Sequence, residues 1–188
     1  MPHSSDTESV RERATGTTPV VSFVGKSDSG KTGVLESIIR ELSARGWRVG
    51  TVKHHIHDFD IDVPGKDSWR HAQAGAVVTM ISAPDKLGVI RKLDRERTLD
   101  ELVAIAGDDI DILLTEGFRR AGSVRVEVMR TARSDELICQ PDELFALVTD
   151  GVHDVGDVPV FGLDDLRGLT DLIEGTFLAA ATDETTLG

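Results

Sequence analysis

The sequence predicts an α/β protein with a doubly wound, mostly parallel β-sheet and an antiparallel hairpin or edge extension. Two stretches carry this prediction. Residues 20–24 are an apolar, β-branched run that leads through a glycine-rich turn into a helical pattern, and residues 110–116 are a second apolar run that ends in a carboxylate. Strands that alternate with helices along a chain favour parallel pairing with right-handed crossovers.

The glycine-rich turn reads G-x-x-x-x-G-K-T. Backbone N–H groups of such a loop wrap phosphates, and the N-terminus of the following helix adds partial positive charge. We expect Lys31 to reach the outer phosphates of a nucleoside triphosphate and Thr32 to hold Mg²⁺ through its hydroxyl. The fold is therefore predicted to be that of the P-loop NTPases. The predicted nucleotide-binding residues are Gly25, Lys26, Ser27, Asp28, Ser29, Gly30, Lys31 and Thr32.

Length and composition predict one domain. The 188 residues, 39% of them hydrophobic, suffice for a single buried core, which we place at 19–181 between a disordered leader (1–18) and a tail (182–188). A net charge of −12 argues against binding to nucleic acid or to an anionic membrane. No apolar run is long enough to span a bilayer. Cys139 is the only cysteine, which fits a reduced, cytoplasmic setting.

The helix after the loop is expected to end at Gly46 and to bury one apolar face. That face consists of Val34, Leu35, Ile38, Ile39 and Leu42. Residues 47–53 are β-prone and predict the next parallel strand.

An unusual stretch, HHIHDFDID, follows this strand at residues 54–62. Its three histidines are His54, His55 and His57. They could bind a metal such as zinc, although a structural zinc site is disfavoured because the chain has one cysteine and no second histidine pair at ligand spacing. An acidic loop at the carboxyl end of this strand would lie beside the nucleotide, so Asp58 or Asp60 could reach Mg²⁺ directly or through water.

A short helix follows, capped by Asp67 or Ser68 and ended by Gly75. Its basic cluster is Lys66, Arg70 and His71. Either Asp67 and His71, four residues apart on one face, form a surface pair, or the basic cluster binds an anionic ligand or a substrate phosphate; the sequence leaves both open.

Two strands are then expected to form a hairpin, a buried one at 76–81 and another at 86–92. The capping box from Thr98 to Glu101 begins a helix that ends at Gly107.

The second apolar run predicts a Walker-B strand at 110–116. Because such a strand ends at the carboxyl edge of the sheet, Glu116 should lie near the Mg²⁺ that Thr32 holds. We therefore predict Lys31 and Glu116 as catalytic residues and Thr32, Glu116 and Asp60 as the metal neighbourhood. The residues that follow could contact phosphate or a partner. They are Phe118, Arg119 and Arg120.

The remaining elements are a half-exposed strand at 124–129, expected at a sheet edge, a buried strand at 145–149, a short strand at 159–161 and a closing helix at 166–178. Asp150, after the buried strand, could accept hydrogen bonds from guanine. The Asn-Lys pair that usually precedes a guanine-reading aspartate is missing, so an ordinary turn aspartate explains this residue equally well.

With these motifs, the chain resembles the MobB family of molybdopterin-guanine dinucleotide biosynthesis adaptor proteins. The matching blocks are GKSDSGKT, the stretch TVKHHIHDFDIDVPGKDSWRHAQAGA at 51–76, and LLTEGF at 113–118. The resemblance covers 19–177 and implies a homodimeric, GTP-binding accessory protein with weak GTPase activity. Its implied partners are a MobA-like nucleotidyltransferase and molybdopterin or its guanine dinucleotide. The block from His54 to Arg70 would be a switch-like or partner-facing surface, while Lys26 and Gly33 depart from the family pattern.

Two other classes of function stay open. A P-loop small-molecule kinase would need an arginine-bearing lid, for which the sequence offers Arg91, Arg95 and Arg97. A metal-delivery NTPase would bind its cargo through the histidines of the 54–62 stretch.

Overall fold

A computed structural model describes residues 18–54, 59, 61–118 and 124–179. The predicted leader, apart from Thr18, and the predicted tail lie outside these residues. The chain divides into two compact units, one formed by 1–54 with 103–188 and the other by 55–102. The assignment of 19–181 to a single domain stays a prediction.

The larger unit contains a six-stranded parallel sheet in the order β2-β5-β1-β6-β7-β8. Its strands are β1 (Val20–Val24), β2 (Val49–Lys53), β5 (Ile112–Glu116), β6 (Val124–Met129), β7 (Leu144–Thr149) and β8 (Val160–Phe161). Because all six strands are parallel, their carboxyl ends meet at one edge, and the loop after β1 lies in the middle of that edge. The predicted α/β fold is confirmed.

Two helices of this unit, α1 (Lys31–Ala44) and α4 (Leu166–Phe177), pack against each other and against the sheet. The buried face of α1 contains four of the five predicted apolar residues, with Ile39 partly buried. Gly46 adopts a φ of 89° just past the helix, as expected for a residue that ends it. The indole N–H of Trp47 and the guanidinium of Arg45 bind Glu174 at 2.6 and 2.5 Å, which ties the end of α1 to α4.

The prediction for β6 was wrong, because this strand lies between β1 and β7 and not at an edge. The charged residues that alternate with apolar ones in this strand do not face water, because their side chains have hydrogen-bond or ion-pair partners within the protein. The Glu127 carboxylate, in a residue only 1% exposed, accepts hydrogen bonds from the backbone N–H groups of Ile138 and Cys139 at 2.8 and 3.0 Å. Arg125 forms an ion pair with Glu143 at 2.5 Å.

The smaller unit contains α2 (Asp67–Gln73) and a separate antiparallel sheet of β3 (Val78–Ala83) and β4 (Lys86–Arg91). The hairpin is confirmed, but β3 is not the buried strand that we predicted. Met80 and Ile81 are 64% and 56% exposed, because among the described residues of this unit only α2 packs against the two-stranded sheet. Neither predicted cap is the N-cap of α2, which is Lys66; the Ser68 hydroxyl instead donates to Asp62.

The helix α3 (Leu99–Ala106) begins with the predicted capping box. The Thr98 N–H donates to the Glu101 carboxylate at 2.9 Å, and the Glu101 N–H donates to the Thr98 hydroxyl at 3.3 Å. Within the described parts of the chain, no helix combines the length and apolar character needed to cross a membrane.

Candidate nucleotide-binding site

The loop between β1 and α1 has the backbone geometry of an anion-binding turn. Gly25 has a φ of 153°, and a Cβ at this position would collide with the carbonyl oxygen of Val128. Gly30 has a φ of 92° and is the N-cap of α1. Asp28 adopts a φ of 59°, which is uncommon for a residue with a side chain and is often found at functional sites. Glycine is therefore required where the motif predicts it.

The ammonium group of Lys31 lies over the loop. It donates to the carbonyl oxygens of Gly25 and Lys26 at 3.0 and 2.7 Å. These contacts fold the side chain back over the turn, so that its charge is close to the loop that would surround the phosphates. This is the position expected for a lysine that neutralises phosphate charge.

Ser29 is the second polar group aimed into the loop. The residue is 1% exposed, and its hydroxyl has no hydrogen-bond partner among the described residues. A buried hydroxyl without a partner costs free energy, on the order of 1–3 kcal/mol. A phosphate oxygen at the loop would offer this hydroxyl an acceptor, so the residues present fit a phosphorylated ligand.

Thr32 and Glu116 meet where the loop faces the end of β5. The Thr32 hydroxyl donates to Glu116 Oε1 at 2.9 Å, and Lys53 Nζ lies 3.6 Å from Glu116 Oε2. A hydroxyl and a carboxylate are hard oxygen donors, as Mg²⁺ prefers, and this ion takes its remaining ligands from water and substrate phosphates. The pair predicted from sequence is thus brought together and fits a magnesium site.

A cavity of about 560 Å³ opens at this point. It is lined by the loop residues 27, 28 and 30–32, by Lys53 and His54 at the end of β2, and by Glu116 and Gly117 at the end of β5. The His54 ring also packs edge-to-face on Phe118 at a centroid distance of 5.1 Å. The cavity therefore joins the ends of three neighbouring strands of the sheet.

The described part of the site does not include every predicted residue. Asp58, Asp60, His55, His57, Arg119 and Arg120 lie outside the described residues. Within 18–54, 59, 61–118 and 124–179, no three His, Cys, Asp or Glu side chains cluster as metal ligands. The side chain of Lys26 donates to the Ser134 hydroxyl at 2.5 Å and lies 3.8 Å from Glu136 Oε2, so it contacts the connection after β6.

Sequence reasoning missed two cations at the site. Lys53 ends β2 and faces Glu116, and Arg130 follows β6 with its guanidinium against Gly30. Lys53 is the last residue of its strand and Arg130 is the first residue after its own, and a cation at the carboxyl end of a parallel strand is a usable signal. It failed for Arg130 because we expected β6 at an edge and not beside β1.

A second cavity, of about 530 Å³, lies at the carboxyl ends of β7 and β8. Asp150 lines it together with Phe161 and Asp164. The N–H of Thr131 donates to Asp150 at 2.8 Å and lowers the pKa of this carboxyl below its ordinary value. Asp150 is therefore a carboxylate at neutral pH, at the same edge of the sheet as the phosphate loop.

A parallel sheet with the phosphate loop at its centre and a Walker-B carboxylate on the adjacent strand defines the fold of the P-loop NTPases. Within that class, the sequence profile described as "MobB: Molybdopterin guanine dinucleotide synthesis protein B" matches residues 20–150. The chain belongs to the MobB family.

Individual relatives agree with this membership. The molybdopterin-guanine dinucleotide biosynthesis adapter protein of Escherichia coli K12 is 32% identical over 161 residues, which cover 82% of this chain and 91% of the relative. The protein of the same description from Haemophilus influenzae is 28% identical, covering 83% and 88%. The crystal structure of Bacillus subtilis MobB superposes with a TM-score of 0.68 at 27% identity, covering 86% of this chain and 99% of the other.

Proposed function

We propose that this protein is a GTP-binding adaptor of molybdenum cofactor biosynthesis that assists the guanylyltransferase forming molybdopterin guanine dinucleotide. Its partners would be a MobA-like nucleotidyltransferase and molybdopterin or its guanine dinucleotide, in the cytoplasm. Membership of the MobB family supports the pathway. The observation that carries the nucleotide site is the hydrogen bond between Thr32 and Glu116 at 2.9 Å beside the loop.

In this proposal Thr32 and Glu116 hold Mg²⁺ and Lys31 neutralises the outer phosphates. The metal supplies charge stabilisation to the phosphates when it is bound. The described residues offer no glutamine placed to orient an attacking water at the cavity. We therefore expect slow hydrolysis, so that the nucleotide acts mainly as a ligand that sets the state of the adaptor.

Calorimetric titration with GTP, with and without Mg²⁺, tests the site. Lys31→Ala should abolish binding, because the phosphates lose their main cation. The matched control is Arg40→Ala, which removes one exposed positive charge from the same helix nine residues later. Unaltered GTP binding by the Lys31 variant would sink the assignment, and release of inorganic phosphate by the wild type measures the hydrolysis rate.

The preference for guanine is proposed on family membership and on the position of Asp150. A carboxylate at the cavity after β7 can accept hydrogen bonds from N1 and the 2-amino group of guanine. Asp150→Asn should weaken GTP binding and strengthen binding of xanthosine triphosphate, whose C2 carbonyl suits an amide donor. Asp157→Asn, which removes an exposed charge from the same connection between β7 and β8, serves as the control. If the Asp150 variant keeps its GTP affinity, the residue is an ordinary turn aspartate.

We also propose that the protein forms a homodimer through the β3–β4 hairpin. Met80, Leu87 and Val89 share one face of the hairpin and are 64%, 64% and 49% exposed. An apolar face of this kind is typical of an association surface, and two strands alone are marginal in water. In light scattering, Met80→Asp should yield a monomer, whereas Ala83→Asp on the opposite face should stay dimeric. A dimeric Met80 variant would exclude this surface.

Pull-down of the nucleotidyltransferase with and without GTP tests the adaptor role. If the nucleotidyltransferase is captured neither with GTP nor without it, the adaptor role is contradicted.

The two alternatives from the sequence stay predictions. For the kinase, Arg95 and Arg97 both bind Glu101, at 2.6 and 3.3 Å, so these two lid candidates already have a partner. Assays with a panel of acceptor metabolites test that reading. Elemental analysis of the purified protein tests metal delivery, since metal-free protein would exclude it.

A further inference from the structure

Arg130 is placed against the phosphate loop from the side opposite to Glu116. It follows the last residue of β6, and β6 and β5 flank β1 on its two sides. A Cβ built on Gly30 would lie 3.1 Å from Arg130 Nε and 3.3 Å from Nη2. The guanidinium therefore lies directly beside the N-cap of α1.

This position is electrostatically unfavourable without a ligand. The N-terminus of α1 carries partial positive charge, and the Lys31 ammonium lies over the same turn. In a chain with 33 acidic and 21 basic residues, carboxylates are plentiful. Even so, the Arg130 side chain makes no hydrogen bond or ion pair within the part of the chain that the structure describes.

Three other arginines of the larger unit are paired with carboxylates. Arg45 binds three carboxylates, and Arg48 and Arg125 bind one each. The charge of Arg130 also lowers the pKa of the Asp150 carboxyl, but by less than the Thr131 N–H does. Arg130 is thus an exposed cation added to an already positive turn, an arrangement that an anion would stabilise.

An independent observation points to the same anion. The Ser29 hydroxyl is buried within the loop without a partner among the described residues, and it lies 2.8 Å from where a Cβ of Gly25 would be. The loop thus offers an unused donor on the inside and a cation at its β6 side. Phosphate oxygens match both, and a planar guanidinium can bind two of them at once.

We propose that Arg130 is a phosphate-binding residue that contacts the nucleotide from the β6 side of the loop. The inference rests on the proposed nucleotide site and names a further ligand residue in it. Thr32 and Glu116 would hold the metal at the β5 side, where it would offset the charge of the outer phosphates. We therefore assign Arg130, on the opposite side of the loop, to oxygens of the α- and β-phosphates. GDP and GTP therefore both use this contact.

Calorimetric titration of the full chain with GTP and with GDP tests the contact. Arg130→Ala should raise the Kd of both nucleotides by about tenfold to a hundredfold, the usual worth of a charge-assisted hydrogen bond. Arg130→Lys should recover only part of the lost affinity, because an ammonium group keeps the charge but cannot form the bidentate contact. The matched control is Arg133→Ala, which removes an exposed arginine from the same connection and should leave both Kd values unchanged.

The outcomes separate this inference from the proposed function. Wild-type protein that binds neither nucleotide would refute the nucleotide site itself. Binding that Lys31→Ala abolishes and Arg130→Ala leaves intact would refute the role of Arg130 alone. A loss for GTP without a loss for GDP would overturn the assignment to the α- and β-phosphates. If Arg130→Ala and Arg133→Ala weaken nucleotide binding equally, the effect comes from the overall positive charge, and a direct contact by Arg130 is refuted.

A chemical readout supports the titration. Phenylglyoxal modifies accessible arginines, and peptide mass spectrometry locates the adducts. Arg130 should be modified in the free protein and protected by saturating GDP, while Arg133 should react equally in both. Modification of Arg130 that GDP does not slow would contradict the contact.

Discussion

Replacing Glu127 by alanine should destabilise the protein strongly, although the residue lies in a strand of alternating polarity. The side chain is in the interior of the sheet, 1% exposed, and it accepts backbone N–H groups of Ile138 and Cys139 at 2.8 and 3.0 Å. The alanine variant leaves two donors without their acceptor. At about 1–3 kcal/mol for each lost partner, the expected cost is roughly 2–6 kcal/mol.

Urea unfolding, followed by circular dichroism and fitted by linear extrapolation, measures this cost. Glu136→Ala is the matched control, because its side chain is 90% exposed in the same connection, and it should change stability by less than about 0.5 kcal/mol. A loss below about 1 kcal/mol for Glu127→Ala would refute the reasoning, since a water would then replace the carboxylate without penalty. The connection that Glu127 holds is the one that also carries Arg130, so a loosened connection should weaken nucleotide binding as well.

Three further predictions concern single groups. Glu116→Gln should remove most of the Mg²⁺ dependence of GTP affinity, because a neutral amide is a weaker metal ligand than a carboxylate. Titration with and without Mg²⁺ measures this dependence. An unchanged dependence would exclude Glu116 from the metal site. Hydrogen bonds from Trp47 and then Arg45 lower the pKa of Glu174 below its ordinary 4.5, so this carboxylate stabilises the fold above that pH and the contribution is lost as the pH falls through the lowered pKa. Glu174→Gln should therefore lower the free energy of unfolding by about 1 kcal/mol at pH 7, and this difference from wild type should shrink at acid pH. Unfolding curves measured at several pH values test this, and a difference that does not change with pH would contradict it. Burial raises the pKa of the Cys139 thiol to about 11, so alkylation by iodoacetamide should be slow at pH 8 and unfolding should accelerate it; rapid labelling of folded protein would show an exposed thiolate.

Local sequence patterns were sufficient for most elements of this protein. The phosphate loop could be predicted because its glycines are required by backbone geometry, as Gly25 and Gly30 demonstrate. The apolar face of α1, the capping box at Thr98 and the strand ending at Glu116 are likewise local, since spacing along the chain determines which side chains share a face.

Predictions failed where burial depends on what lies beside an element. The alternation in β6 indicated one face in water, but Glu127 and Arg125 have charged or polar partners in the connections that follow. The apolar pattern of β3 indicated burial, but its sheet has only two strands, so Met80 remains exposed. In both cases the periodicity correctly indicated a strand, but it carries no information about which elements pack beside that strand.

The sequence by itself determined that a phosphate loop, a carboxylate-ending strand and the family blocks are present, because each is a contiguous pattern with its own backbone requirement. Only the tertiary structure decided that Thr32 and Glu116, 84 residues apart, meet at 2.9 Å, and that Arg130 lies beside Gly30. The order of the strands in the sheet brings these residues together. It places β5 and β6 on the two sides of β1, and long-range packing selects that order, so no local spacing can reveal it.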